Sequence, residues 1–358
     1  MQAQRELQQL MGLFQAGRLA EAESAARRLT KRHPDVFVLP NILGAILSSQ
    51  GRHADALAAF RQALRVKRDY VEAHCNAGIA LCALGQHAEA LAEFEAAIAL
   101  APANMDARNN LANALQELGQ HAQAVDVLEA AAGVQAAYPP TWNNLGNAFS
   151  ALGRHQEATA AFRRALALAP DFAQAHNNLG LALLTAGDVP DALAAFDEAL
   201  VFAPDYPEAH ANRADALRRA GRLPEAVSAY GRAFELGLTA PELHNNLGNV
   251  FEELRRFDEA AGAYQAALAQ KPGYVEAHNN LGSVLKACGK LDEAVACFAR
   301  ALEIDPGFTL AAGNLGRTRL AQGRHAEGLE HLVAHTGFVR LAVDAAPRLI
   351  LEMDDAAR

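Results

Sequence analysis

Eight asparagines recur at one constant interval along the sequence and carry its most suggestive side-chain chemistry. They are Asn76, Asn110, Asn144, Asn178, Asn212, Asn246, Asn280 and Asn314. A carboxamide offers hydrogen-bond donors and an acceptor together, which matches the N–H and C=O of a peptide group. Asparagine is also a poor mid-helix residue, by up to about 0.7 kcal/mol relative to alanine. The series therefore predicts a ladder that binds the main chain of an extended peptide.

Three further asparagines, Asn113, Asn147 and Asn249, each lie one helical turn after a member of this series. Asp215 and Arg317 occupy the same place elsewhere, so we expect a more variable, selective surface beside the ladder. The alternative is that the asparagines hydrogen-bond within their own scaffold, since most side-chain hydrogen bonds go to backbone or water. The sequence leaves both interpretations open.

The whole sequence repeats at the same interval, which is 34 residues. The string NNLG occurs at 143–146, 177–180, 245–248 and 279–282. Ten units of equal length run from Ala3 to Ala342 without an insertion or deletion. A period in this size range indicates stacked structural units that share one continuous core.

Each unit has the pattern of two helices, as residues 139–172 illustrate. Leu145 and Phe149 share one face of a first helix, and Gly153 ends that helix because glycine readily adopts a positive φ. A second helix carries Phe162, and Pro170 prevents its continuation. Small residues also recur: we expect Gly146 and its equivalents to mark a close helix crossing, with Ala158 and its equivalents in the facing position.

This combination of Leu-Gly, Gly, Ala, Phe or Tyr, Ala and Pro within each unit resembles the tetratricopeptide repeat (TPR), and the resemblance covers almost the whole chain. It implies an all-α fold, a right-handed superhelical solenoid of stacked antiparallel helix pairs with a concave groove. The asparagine series is similar to the concave asparagine ladder in the TPR superhelix of O-linked N-acetylglucosamine transferases.

The repeat pattern also predicts the domain organisation. We expect a degenerate N-terminal capping repeat at 1–36, eight regular units at 37–308, and a degenerate C-terminal repeat at 309–335. The tail at 336–358 has apolar residues on both sides of DAAP, which favours two short strands or a β-hairpin. Such a tail could cover the end of the solenoid or provide an edge for self-association.

Acidic residues and histidines follow the same register. The second residue of several units is acidic: Glu72, Asp106, Glu208, Glu242 and Glu276. These acids suit a helix N-terminus, and the alternative is an acidic rim that attracts basic segments. The fourth residue is His74, His176, His210, His244 or His278, with Trp142 in the unit from 139. We expect these side chains to pack between hairpins.

Composition and motifs exclude several other functions. The net charge of −9 disfavours nucleic acid, and no apolar stretch is long enough to cross a membrane. His331 and His335 lack a third metal ligand, and no phosphate loop or nucleophile elbow is present, so we expect no metal, no cofactor and no catalysis. Four cysteines without a CxxC pair predict buried core residues in a reduced, cytoplasmic protein.

Two functions fit these observations. The first is a non-catalytic scaffold that binds an extended peptide or protein segment in the concave groove. The second is the substrate-recruiting TPR region of a protein-modifying transferase, similar to a glycosyltransferase, whose catalytic part is absent from this chain.

Overall fold

The repeated sequence pattern forms a repeated helical hairpin. The computed structural model describes residues 2–336, 341–343 and 347–349. In these ranges the helices are α1 Gln2–Gln15, α2 Leu19–Arg32, α3 Val38–Ser49, α4 His53–Val66, α5 Val71–Ala83, α6 His87–Leu100, α7 Met105–Glu117, α8 His121–Val134, α9 Pro139–Ala151, α10 His155–Leu168, α11 Ala173–Thr185, α12 Val189–Phe202, α13 Pro207–Arg219, α14 Leu223–Glu235, α15 Pro241–Glu253, α16 Phe257–Gln270, α17 Val275–Ala287, α18 Leu291–Ile304, α19 Thr309–Ala321 and α20 His325–Thr336.

The chain divides into two units, Met1–Ala186 (unit 1) and Gly187–Arg358 (unit 2). In unit 1, α3 packs on α4, α5 on α6, α7 on α8 and α9 on α10, and each hairpin also packs on the next. The first helices α3, α5, α7, α9 and α11 contact one another in sequence, so they form one row. The all-α fold of antiparallel helix pairs is therefore confirmed.

Unit 2 is built in the same way. The hairpins are α13 with α14, α15 with α16, α17 with α18 and α19 with α20, and α13, α15, α17 and α19 form its row of first helices. Part of its core lies where Tyr264 and Phe298, both fully buried, meet Leu281, Val284 and Leu315. Burying these side chains against the next hairpin is what makes the stack, rather than the single hairpin, the stable element.

Residues with positive φ end the first helices, as the sequence predicts. Gly85, Gly119 and Gly153 have φ of 71–72° in unit 1. The unit from 241 has Arg255 instead, and Arg255 adopts the same left-handed conformation with φ 58°. Its N–H bonds to the carbonyl of Glu252 at 2.9 Å, so the hairpin geometry imposes this turn even without glycine.

The helix crossing is close, and an aromatic ring lies nearest to its glycine. A Cβ built on Gly146 would lie 2.5 Å from the ring of Phe162, and one on Gly282 would lie 2.7 Å from Phe298. Ala158, the predicted facing residue, is fully buried, and the three atoms nearest to the Cβ built on Gly146 all belong to the ring of Phe162. The ring of Phe162 is therefore a further residue at this crossing, and the facing position of Ala158 remains a prediction.

The cysteines also differ from the prediction. All four are free, but Cys75, Cys82 and Cys297 are half-buried and Cys288 is exposed. Cys288 follows α17 directly and caps its C-terminus, which explains its exposure. The expectation of buried core cysteines is therefore wrong.

The tail contains two short strands, β1 Leu341–Val343 and β2 Pro347–Leu349, which pair antiparallel with Leu341 opposite Leu349. The rest of the predicted tail lies outside the described residues, and so does the predicted self-association surface. The predicted domain boundaries remain predictions.

Candidate peptide-binding site

The ladder asparagines lie on the first helices of the hairpins, and five of the eight form an adjacent pair with an asparagine directly before them. The first member of a pair is buried, as are Asn109 and Asn143, with 5% and 2% exposure. The second member belongs to the predicted ladder and is half-buried, as are Asn110 and Asn144. The ladder residue therefore lies at the boundary between the packed hairpins and the surface.

Ladder asparagines of unit 1 donate to the preceding hairpin. The Nδ2 of Asn144 donates to Oδ1 of Asn109 at 3.0 Å. Asn178 donates twice, to Oδ1 of Asn143 at 3.0 Å and to Oδ1 of Asn147 at 3.1 Å. The sequence left open whether these side chains bond within the scaffold; these contacts show that they do.

Asn110 is the exception in unit 1. The two acceptor positions of the preceding hairpin hold Cys75 and Ile79 instead of asparagine. By contrast, Asn76 still donates to Oδ1 of Asn41 at 3.1 Å. Within the part of the chain that the structure describes, the Asn110 carboxamide has no hydrogen bond.

Unit 2 repeats the scaffold bonds. Nδ2 of Asn280 donates to Oδ1 of Asn245 at 3.1 Å and to Oδ1 of Asn249 at 3.2 Å. Asn314 donates to Oδ1 of Asn279 at 2.8 Å. At Asn280, two adjacent hairpins are thus joined by one carboxamide that uses both of its N–H groups.

Asn246 has a different acceptor because the usual position holds Ala211. Its Nδ2 donates instead to Oδ1 of Asp215 at 3.3 Å. The hydroxyl of Tyr230, on the second helix of the same hairpin, also donates to Asp215. Burial raises the pKa of Asp215, while these two bonds and the charge of Arg218 oppose the rise. The remaining ladder member, Asn212, also has a side-chain or electrostatic partner.

A second tyrosine reaches the same surface of unit 2. The hydroxyl of Tyr264 shares its proton between Oδ1 of Asn249 at 2.8 Å and Oε2 of Glu252 at 2.9 Å. Burial raises the pKa of Tyr264, and the charge of Glu252 adds to the rise. Beside it, Arg218 donates to Oε1 of Glu253 at 2.8 Å. This surface is a network of internally paired charges.

Unit 1 has a cavity of about 480 Å³ on its row of first helices. It collects four of the eleven asparagines that the sequence predicts as binding residues: Asn76, Asn110, Asn113 and Asn144. Its other lining residues are Glu72, Cys75, Ile79, Asn104, Asp106, Asn109, Tyr138 and Pro140. The remaining predicted residues, Asn147, Asn178, Asn212, Asn246, Asn249, Asn280 and Asn314, lie outside this cavity.

The cavity is electronegative. The Tyr138 hydroxyl donates to Oδ1 of Asp106, and this bond, with burial, raises the pKa of Tyr138 to about 12. Burial, followed by the charges of Asp106 and Glu72, raises the pKa of the Cys75 thiol. Both groups therefore hold their protons against nearby negative charge.

Sequence reasoning missed Tyr138 and Cys75 as lining residues. A signal for Tyr138 exists, since Tyr70, Tyr206 and Tyr274 share its position in the repeat. Cys75 gives no such signal, because it matters here only as the residue that replaces an asparagine.

The histidines of the fourth position bond to the turn between hairpins. Nε2 of His210 donates to the carbonyl of Pro204 at 2.8 Å, and Nε1 of Trp142 donates to the carbonyl of Ala136 at 2.8 Å. The same bond forms at His74, His176 and His278. His244 instead stacks on Phe234 of the preceding helix, with ring centroids 4.5 Å apart, and burial lowers its pKa. These side chains fasten the junctions between hairpins.

The described residues lack two other kinds of site. No group of three or more His, Cys, Asp or Glu side chains there could hold a metal ion. No helix in the same ranges is long and apolar enough to cross a membrane.

Sequence comparison places the fold in a family. Models described as tetratricopeptide repeat match residues 143–210, 202–240, 211–275, 245–307 and 279–334, and a further model with this description matches 104–171. A model described as TPR repeat matches 44–85 and 78–119. The chain therefore belongs to the tetratricopeptide repeat family, whose repeats imply a scaffold for protein–protein interaction. No curated protein matches the chain significantly.

Two solved structures with TM-scores above 0.5 share the fold. The APC/C hetero-tetramer Cut9-Hcn1 matches with a TM-score of 0.60 and 16% identity, over 84% of this chain and 59% of that chain. The pilF structure of Pseudomonas aeruginosa matches with a TM-score of 0.52 and 20% identity, over 58% of this chain and 94% of that chain. YrrB, a TPR protein with an unusual peptide-binding site, has a TM-score of 0.45 and 25% identity, over 50% of this chain and 94% of that chain. This chain thus spans 59% of the length of the Cut9-Hcn1 chain.

Proposed function

We propose that the chain is a non-catalytic scaffold that binds an extended peptide segment along the first helices of unit 1. Asn76, Asn110, Asn113 and Asn144 are the residues that contact the peptide main chain. The observation that carries this proposal is Asn110, whose carboxamide lines the cavity and makes no hydrogen bond within the described residues. Its donors and acceptor match those of a peptide group.

The neighbouring carboxamides keep part of their capacity. Asn76 and Asn144 each donate one hydrogen bond to the preceding hairpin, which leaves a second N–H on each side chain. Asn113 is exposed in the same cavity. Packed helices lie about 8–10 Å apart, which corresponds to roughly three residues of an extended chain at about 3.3 Å each. One peptide strand can therefore meet successive asparagines at every third residue.

The other predicted binding residues use more of their hydrogen-bonding capacity within the scaffold. Asn178 and Asn280 each donate two hydrogen bonds to the preceding hairpin, so their main role in our proposal is to join hairpins. Asn147 and Asn249 accept those bonds, and Asn246 donates to Asp215. Asn314 donates to Asn279, and Asn212 has a partner of its own.

The test is a peptide-binding measurement on matched variants. A random peptide library is selected against the purified chain, and the strongest binder is titrated by fluorescence anisotropy. We expect Asn110→Ala combined with Asn113→Ala to weaken binding about tenfold, because two hydrogen bonds of about 0.5–1.5 kcal/mol each are lost.

Asn280→Ala is the control, since it removes scaffold bonds outside the cavity and should leave the affinity unchanged. Equal affinity of wild type and the Asn110/Asn113 variant, or a library that yields no binder, would refute the proposal.

A further inference from the structure

The charged side chains that line the cavity of unit 1 are all acidic. Its lining includes the carboxylates of Glu72 and Asp106, and both side chains are exposed. None of its lining residues, all of which lie in the described part of the chain, is Lys, Arg or His. The arginine next to it along the chain, Arg108, donates to the turn carbonyl of Pro102 at 2.9–3.0 Å. The carboxylates are therefore left without a cation in the cavity that they line.

The other lining residues are suited to a long basic side chain. Ile79 is exposed in the cavity and Pro140 also lines it, so an aliphatic stem has apolar surface to cover. Long basic side chains bury their methylene stems on apolar surface and keep the charged head at polar groups. Carboxylates and the oxygen atoms of carboxamides accept the hydrogen bonds that such a head donates.

We propose that this cavity selects a lysine or arginine side chain of the bound segment, so that the partner of unit 1 is an extended peptide with a basic residue. The charge complementarity of Glu72 and Asp106 selects this occupant. This inference rests on the proposed function, because it assigns selectivity to the same groove.

The pKa values of two groups that line the cavity reflect its negative electrostatic potential. Tyr138 donates to Asp106, and its pKa is raised to about 12. The Cys75 thiol experiences the charges of both carboxylates, and its pKa is also raised. The same two carboxylates that disfavour a negative charge here would form a favourable ion pair with a positively charged side chain.

The first experiment compares three labelled peptides that differ only in their central residue: arginine, its uncharged isostere citrulline, or glutamate. The flanking residues are alternating alanine and threonine. At about 50 mM salt we expect the arginine peptide to bind about tenfold more tightly than the citrulline peptide, and the glutamate peptide to bind weakest. At about 500 mM salt the preference should fall below about threefold, because exposed charges are screened.

The variant Glu72→Gln with Asp106→Asn should abolish the preference while keeping an oxygen acceptor for Tyr138. The matched control is Glu208→Gln with Glu276→Gln, which removes the same charge from equivalent repeat positions in unit 2. This control should leave the preference intact.

The second experiment needs no peptide. In a variant with Cys82, Cys288 and Cys297 changed to serine, the rate of Cys75 modification by a disulfide reagent is followed against pH. Glu72→Gln with Asp106→Asn should lower the pKa of Cys75, since two nearby negative charges are removed.

The outcomes separate the two proposals. Equal binding of all three peptides, or a preference for glutamate, refutes the charge selectivity and leaves the groove intact as a peptide site. An unchanged Cys75 pKa in the double variant also refutes it, since the carboxylates would not set the potential there. Absence of binding by every peptide and every library clone refutes the proposed function, and the selectivity falls with it.

Discussion

Unit 1 and unit 2 use the same hairpin for two different surfaces. In unit 1 the aromatic residues behind the first helices include Phe94 and Phe162, which have no polar group to send outward. In unit 2 the equivalent residues include Tyr230 and Tyr264, whose hydroxyl groups bond to Asp215, Asn249 and Glu252. The polar groups of unit 2 thus bond to one another, whereas the Asn110 carboxamide of unit 1 has no hydrogen bond to any residue that the structure describes.

This difference shows that the scaffold and the binding surface are set by separate residues. The glycine and aromatic positions set the helix crossing, which is the same in both units. In the preceding hairpin, the residue directly before the ladder asparagine and the residue three positions after it decide whether the next ladder asparagine finds an acceptor. Cys75 and Ile79 remove the acceptors for Asn110, and in our proposal this gives unit 1 its binding capacity.

The largest effect should come from the crossing, where the two units should respond alike. Gly146→Val in unit 1 and Gly282→Val in unit 2 would place a side chain against Phe162 and Phe298. We expect each to lower the free energy of unfolding by about 3 kcal/mol or more, measured by denaturant titration.

The controls are Gly133→Ala and Gly262→Ala, whose added Cβ meets nothing within 4 Å. Alanine is favoured over glycine in a helix by up to about 1 kcal/mol, so these changes should be neutral or stabilising. If valine at 146 is tolerated but valine at 282 is not, the two units do not share one scaffold.

A smaller effect on the unfolding free energy should distinguish two asparagines that share one position of the repeat. Asn280→Ala removes two hydrogen bonds and leaves the Oδ1 atoms of Asn245 and Asn249 without this donor. We expect a loss of about 1–2 kcal/mol in unfolding free energy. Asn110→Ala removes no scaffold bond and should have little effect or raise stability by its better helix propensity.

Thermal and denaturant unfolding followed by circular dichroism measure both variants under the same conditions. Equal destabilisation by Asn110→Ala and Asn280→Ala would mean that the ladder has a uniform structural role.

The smallest effect is the pH dependence that Asp215 of unit 2 contributes. Burial raises the folded-state pKa of Asp215 above its unfolded value, so the folded state holds the proton more tightly. The contribution of Asp215 to the free energy of unfolding should therefore fall as pH rises through the window that starts near the ordinary carboxyl pKa of about 4, with a slope of at most about 1.4 kcal/mol per pH unit. Asp215→Asn, which keeps an oxygen acceptor for Tyr230, should remove this slope.

Exposed Asp258→Asn serves as the control and should follow the wild-type curve. The measurement is the unfolding free energy at several pH values from about 4 to 8, the range in which a raised carboxyl pKa acts. Parallel curves for wild type and Asp215→Asn would show that the tyrosine and arginine contacts offset the burial of Asp215 completely.

The sequence by itself determined the hairpin, its length and its register. Apolar residues at helical spacing, a glycine after the first helix and a proline after the second act over a few residues, so their consequences can be read locally. The register also placed every ladder asparagine on a first helix. Arg255, which stands where the other units have glycine, is also visible in the sequence.

Only the tertiary structure decided what each asparagine does. The acceptor for Asn144 is Asn109, which lies on another hairpin, and the equivalent place for Asn110 is held by Cys75. The ring that lies nearest to Gly146 belongs to Phe162, because a side chain of that reach spans the crossing. Hydrogen bonds and helix crossings depend on distances between segments that are remote in sequence. A repeat pattern predicts that such segments meet, and the packed hairpins determine which atoms touch.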